Sequence, residues 1–213
     1  MRIRKYLPED RISVERVHFE TGFLGKSMSR FLSNNHLWRK EAAHYLNDEP
    51  EHVFVLETKG RVIGYLFGSF KNKSESDFKF VLRIFSNFFR GLFLPKKDRF
   101  FWANKLKHFF KIIFGKSGEL NFDIHKTSAH IHINILPEGR GLNWGTKLLE
   151  EFEKVALSEG ITHIHANSYQ TSVNPNSNFW FKNGFVEHSK VKTLYWCWVF
   201  LMKIFFWFVM LSI

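Results

Sequence analysis

Two apolar runs at residues 52–58 and 61–68, rich in Val, Phe, Ile and Tyr, flank Lys59-Gly60 and predict a β-hairpin closed by a glycine turn. A second β signal lies at residues 128–136, where apolar and polar side chains alternate through His-Ile-His-Ile-Asn-Ile. Helical spacing dominates elsewhere. Residues 143–158 place Leu148, Leu149, Phe152, Val155 and Ala156 on one face, and Gly160 ends the pattern. Residues 77–94 and 98–114 carry Phe and Leu at the same period, with Pro95-Lys96-Lys97 between them. Shorter signals predict a strand at 2–6, a helix after Pro8, a turn at 21–25, a helix at 31–46, a strand at 161–168 and a short helix after 177.

Composition narrows the class. Hydrophobic residues at 45% and charged residues at 24% suit a globular α/β chain that buries a core and exclude disorder throughout. One cysteine, Cys197, precludes an internal disulfide and fits a reducing compartment. No apolar stretch follows the charged start, so no signal peptide is read and the cytoplasm is expected. The formal charge of +11 asks for an anionic partner. Between residues 71 and 126, thirteen Lys or Arg oppose five Asp or Glu, so this segment carries eight of the eleven.

The segment most suggestive of chemistry follows the strand at 128–136. There Pro137-Glu-Gly-Arg-Gly-Leu-Asn-Trp-Gly-Thr-Lys147 leads into a helix. A glycine-containing loop at a helix N-terminus offers unpaired N–H groups and the positive end of the dipole to a phosphate. Lys147, one turn in, adds charge. Two histidine pairs, His130-x-His132 and His163-x-His165, sit on consecutive predicted strands. In register they would make a four-imidazole site, but the alternation equally suits packing, and no metal is expected.

The strand-loop-helix resembles motif A of the GNAT (GCN5-related) N-acetyltransferases, whose usual form is Arg/Gln-x-x-Gly-x-Gly/Ala; here it reads Arg140-Gly141-Leu142-Asn143-Trp144-Gly145. The hairpin before it, and Asn174-Pro-Asn-Ser-Asn-Phe-Trp-Phe-Lys-Asn-Gly-Phe185 after it, fall in the order of that family. The runs 20–26, 54–68 and 129–137 are similar to bacterial proteins related to the acetyltransferase-like domain of O-GlcNAcase, which carry an aromatic insertion at the same place.

That resemblance implies an α/β fold, with a mixed central sheet of about seven strands, flanking helices and a helical insertion between strands 3 and 4. It implies acetyl-CoA as co-substrate, held by Arg140, Gly141, Leu142, Asn143, Trp144, Gly145, Thr146 and Asn174. It also implies a backbone donor for the thioester oxygen near Ile135 or Leu136, and an amine acceptor, small or sugar-derived. Candidate bases are His130, His132 and Glu138, and Tyr169 is the candidate acid for the thiolate. Three positions depart from the family pattern: Asn143 stands for a glycine, Asn134 for an Asp and Trp180 for a Tyr. A second reading follows from these departures, a catalytically inactive GNAT-like binding module at a membrane.

The domain is expected over 1–203, with 71–126 as a basic, Phe-rich helical insertion. That insertion reads first as a cap over the acceptor pocket and second as an interfacial element meeting anionic lipid. No nucleic-acid motif accompanies the charge. Residues 194–213 hold one charge, Lys203, and would span about 30 Å as a helix, but a lysine at mid-span costs roughly 2.5–3.5 kcal/mol. The last hairpin is therefore expected at 185–191 and 193–202, with 204–213 an apolar tail. A membrane surface would be met through 77–114 and 204–213.

Overall fold

The computed structural model describes residues 1–33, 38, 42–70, 95–103, 128–170, 177–197 and 200–212, with isolated positions between 82 and 93; at 169, 170, 177 and 188–212 the description covers the backbone alone. Seven strands form one sheet: β1 (Arg2–Lys5), β2 (Val53–Thr58), β3 (Arg61–Ser69), β4 (Ser128–Ile135), β5 (His163–Gln170), β6 (Val186–Cys197) and β7 (Phe200–Ser212). Their order is β1-β2-β3-β4-β5-β7-β6. Only β4 and β5 run parallel; the other neighbours are antiparallel.

The parallel pair needs a crossover, and the helix α3 (Trp144–Ser158) supplies it. Strand alternation decides which helix covers which face. Tyr65 and Phe67 of β3 point to α1 (Arg11–Thr21) and α2 (Ala43–Asp48), where they meet His18 and Tyr45. Gly68 points the other way, so that a Cβ there would lie 2.0 Å from the Phe152 ring of α3. The core includes Val14, Val17, Leu56, Ile63, Ile131, Leu148, Leu149, Phe152 and Ile164, each no more than 1% exposed.

Several expectations shift. The hairpin β2–β3, β4 and α3 fall where the pattern puts them. β5 begins at His163 rather than 161, because the end of α3 holds Ile161: its N–H donates to the Ala156 carbonyl at 3.0 Å. Within and beside the span 31–46 expected as a helix, the described elements are the helix Ala43–Asp48 and a 3₁₀ turn at Met28–Arg30 capped by the Ser27 side chain. Residues 34–37 and 39–41 are outside the described residues.

The last hairpin is the largest correction. Its strands are Val186–Cys197 and Phe200–Ser212, and residues 204–212 pair with β5 on one edge and β6 on the other, so they belong to the sheet and are not a tail. β7 pairs antiparallel with all of β5, from His163↔Ser212 to Gln170↔Phe205, and so satisfies the backbone groups on that edge. Among the described residues no helix is long and apolar enough to cross a membrane. Most of the basic insertion lies outside the described residues; its described part includes a helical stretch at 96–103.

Candidate functional site

β4 and β5 pair only from Ser128↔His163 to Ile131↔Ala166 and then diverge. Beyond that point β5 remains paired to β7, and β4 to β3. The antiparallel alternation with β3 sends the backbone groups of His132 and Asn134 toward β3, and those of Ile133 and Ile135 toward the gap. Leu136 N–H continues the first set, donating to the Ile63 carbonyl at 2.8 Å. Of the two expected oxyanion donors, Ile135 faces the opening and Leu136 does not. Ile133 joins it, a residue that spacing alone did not single out.

A cleft of about 570 Å³ occupies this divergence. Its walls include Ile131–Ile135 of β4, Asn167 and Ser168 of β5, most of the motif loop between Gly139 and Thr146, and Thr21, Gly22, Leu24 and Gly25 at the end of α1. Arg140, Gly141, Asn143, Trp144, Gly145 and Thr146 all line it, whereas Leu142 is 56% exposed and does not. Asn174 lies outside the described residues.

The loop geometry accounts for its residues. Asn143 has φ 62° and ψ 12°, the left-handed conformation, immediately before the right-handed first turn of α3. A left-handed residue followed by a right-handed one turns successive N–H groups into one concavity, a nest suited to an anion. Asparagine tolerates that conformation better than other side-chain-bearing residues, which explains its presence where the motif has glycine. Gly145 is required for a different reason: a Cβ there would lie 2.8 Å from Phe179 of α4 (Ser177–Lys182). The Arg140 guanidinium ties the loop down, donating from Nε to the Ile135 carbonyl and from Nη2 to the Gly25 carbonyl, both at 2.7 Å. The Lys147 ammonium lies over the Trp144 ring at 4.4 Å and is not part of the lining.

The acetyltransferase (GNAT) family model matches residues 24–185, which contain the hairpin, the divergence and the whole motif loop. The chain belongs to the GNAT family. No curated protein sequence matches it. Solved structures share its fold. SsHAT is 21% identical with TM-score 0.62 and covers 99% of this chain and 97% of its own. The ribosomal-protein-alanine N-acetyltransferase of Brucella melitensis is 13% identical, with TM-score 0.57 and full coverage of both chains. For yncA of Salmonella typhimurium, determined with its cofactor acetyl-CoA, identity is 14% and TM-score 0.57, over 99% of this chain and 92% of that one.

In this GNAT chain the expected bases separate. His132 lines the cleft, with Nδ1 3.2 Å from the Tyr65 hydroxyl and Nε2 3.5 Å from Asn134 Nδ2. His130 sits behind it and is not in the lining; its Nδ1 pairs with the Tyr45 hydroxyl at 2.7 Å. Glu138 turns outward into an ion pair with Arg61, away from the cleft. The geometry therefore leaves one of the three, His132, in position. Tyr169 belongs to β5, and its side chain is outside the description.

Burial sets the charge states. Desolvation, with smaller repulsions from neighbouring histidines, pulls His130 and His132 down to about 3, and burial takes His165 down to about 4. All three are neutral at physiological pH. Trp180 also lines the cleft but packs edge-on against Phe185 at 4.9 Å, as part of the core. The two histidine pairs do fall on adjacent strands, with His130 opposite His165. The His165 Nδ1 contacts Ser128 Oγ at 2.6 Å, and among the described residues no group of three or more His, Cys, Asp or Glu could hold a metal.

The sequence did not mark Tyr65, His18, Asn167 or Phe179 as site residues. Their contribution arises from register and helix packing across 47 to 69 residues of chain. The only available signal was a tyrosine inside an otherwise apolar strand.

Proposed function

We propose that this chain is an acyl-CoA-dependent N-acyltransferase that moves acetyl from acetyl-CoA to a small-molecule or sugar-derived amine. The observation that carries this reading is the divergence of β4 from β5 beside the motif loop. An acyl-CoA arm laid along β4 would meet the backbone groups of Ile133 and the N–H of Ile135, whose carbonyl Arg140 holds. Its pyrophosphate would meet the N–H groups of residues 143–146, at the positive end of α3. The described lining suits an anion, since Arg140 and Lys182 belong to it and no Asp or Glu does.

Transfer needs a neutral amine to attack the thioester carbon, a donor for the oxygen that becomes negative, and an acceptor for the amine proton. Ile135 N–H faces the place for the donor, and Ile133 N–H lies one pleat earlier. His132 accepts the proton. A base held this far below neutrality removes a proton only from a strongly acidic nitrogen, which the amine becomes as the C–N bond forms. The thiol of coenzyme A ionises near the ordinary thiol range, about 8.5, so the sulfur leaves as thiolate without an obligatory acid.

The sugar-derived class rests on the similarity of residues 129–137 and their neighbours to the O-GlcNAcase-related subgroup. The test is release of free CoA from acetyl-CoA in the presence of a panel of amines, amino sugars included. Saturable release with at least one amine is expected. Binding of acetyl-CoA with no release for any amine would replace the enzyme by a binding module.

A further inference from the structure

Three polar side chains converge on the hydroxyl of Tyr65, which is fully buried and touches His132 and Asn134 of the cleft lining. His18 Nδ1 lies 2.7 Å from it, Asn134 Nδ2 2.9 Å and His132 Nδ1 3.2 Å. A phenol oxygen has one proton to give and two lone pairs to fill. The Asn134 amide nitrogen only donates, so it takes one lone pair. The other lone pair then accepts from one imidazole, and the hydroxyl proton goes to the second. The two imidazoles must therefore hold opposite tautomers.

The distances choose between them. O–H donors make bonds near 2.7–2.8 Å, and N–H donors make longer ones. Tyr65 therefore donates to His18 Nδ1, and His132 donates its Nδ1–H to Tyr65. A neutral His132 with its proton on Nδ1 carries its lone pair on Nε2, the ring nitrogen that Tyr65 does not hold. This is the nitrogen a base in the cleft would use.

We propose that Tyr65 and His18 are positioning residues for the transfer reaction, holding His132 in the tautomer whose Nε2 takes the amine proton and drawing the resulting charge inward. The proposal rests on the acyl-transfer reading of the cleft. As the C–N bond forms, the N–H bond of the amine breaks and its proton bonds to His132 Nε2. The Nδ1 proton passes to the Tyr65 oxygen while the Tyr65 hydroxyl proton passes to His18 Nδ1. One proton enters and one imidazolium results, now on His18. The thiolate leaves as an anion and takes its proton from water.

Burial opposes a charge on His18, which is 7% exposed, and the Trp38 ring beneath it offsets part of that cost. The His18 ring stacks on Trp38 at 5.3 Å and 19°, and an indole face stabilises a cation. The titratable groups facing His132 are His18 from α1, Tyr65 from β3 and His44 from the α2 side. Burial and the two histidines keep His132 unprotonated at rest, and the amine would displace the Asn134 Nδ2 contact that faces Nε2 at 3.5 Å.

Nitrogen-15 NMR of the histidine rings in the full-length wild-type protein tests the tautomers directly, with His18→Gln and His132→Gln spectra giving the assignments. His132 protonated at Nδ1 and His18 protonated at Nε2 is the expected result. His132 protonated at Nε2 overturns the proposal. The readout needs no turnover, so it stands apart from any failure of the amine panel. In kinetics, Tyr65→Phe should lower kcat at least about tenfold while the KM for acetyl-CoA stays within about twofold, as expected when a base loses the partner that fixes its tautomer. An unchanged kcat would equally overturn it.

Discussion

At the scale of single residues, the motif loop separates two reasons for small or flexible side chains. Asn143 and Gly141 are needed for their left-handed backbone, with φ of 62° and 72°. Gly145 is needed because Phe179 occupies the space of a side chain. These reasons predict different outcomes. Asn143→Gly should leave stability and acetyl-CoA affinity close to wild type, whereas Asn143→Val should cost about 1–2 kcal/mol of folding free energy, because a β-branched residue resists positive φ. Gly145→Ala should cost about 1–3 kcal/mol by overpacking against Phe179. Urea unfolding checks all three, and a fully stable Asn143→Val would contradict the loop geometry.

In the proposed reaction His132 is the base. His132→Gln should lower kcat by about 10²-fold or more, the usual worth of a positioned base, with little change in the KM for acetyl-CoA. His130→Gln, one layer behind the lining, should lower kcat far less; steady-state kinetics on the two variants separates them. The motif and both histidines could be read from spacing and resemblance alone. What could not be read was that Glu138 pairs outward with Arg61, or that Leu136 is spent on the Ile63 carbonyl. Partner choice at those positions depends on residues about 75 positions away in sequence, and only the register of β3 against β4 decides it.

At the scale of elements, the parallel pair and the helix that joins it were legible because alternation and helical period are strong over 128–136 and 143–158. The C-terminal strands were not. Residues 200–212 are apolar apart from Lys203 and Ser212, so periodicity gives no face, and length alone suits a membrane segment, a tail or a buried strand equally. What places the strand is its pairing with β5 on one edge and β6 on the other, and pairing leaves no mark on the hydrophobic pattern. The corrected placement has a consequence for truncation. Deleting residues 204–213 removes most of the strand that joins β5 to β6, so the variant should lose cooperative thermal unfolding. Circular dichroism would detect this; a truncated chain that melts like wild type would contradict the sheet order.

The whole molecule carries a pH dependence built from its buried histidines. His130 and His132 are held down to about 3 and His165 to about 4, against an unfolded value near 6.5. Between those limits the unfolded chain binds more protons than the folded one, so stability is complete above about pH 6.5 and falls as pH drops through the interval. Asp10, whose carboxylate is held below its ordinary range by Arg4, adds a further loss at lower pH still. The melting temperature should therefore decline between pH 7 and pH 5, well before ordinary carboxylates titrate. A flat profile there would mean that these imidazoles are not desolvated in solution.

All of the functional reading depends on one cleft, where a strand pair parts beside the N-terminus of α3. Isothermal titration calorimetry of the wild-type chain with acetyl-CoA tests it most directly. One saturable site is predicted, with affinity that falls in Asn143→Val, whose bulk and strained backbone disturb the nest of N–H groups. No saturable binding of acetyl-CoA to the folded protein would contradict the account, and would leave the divergence of β4 and β5 as architecture alone.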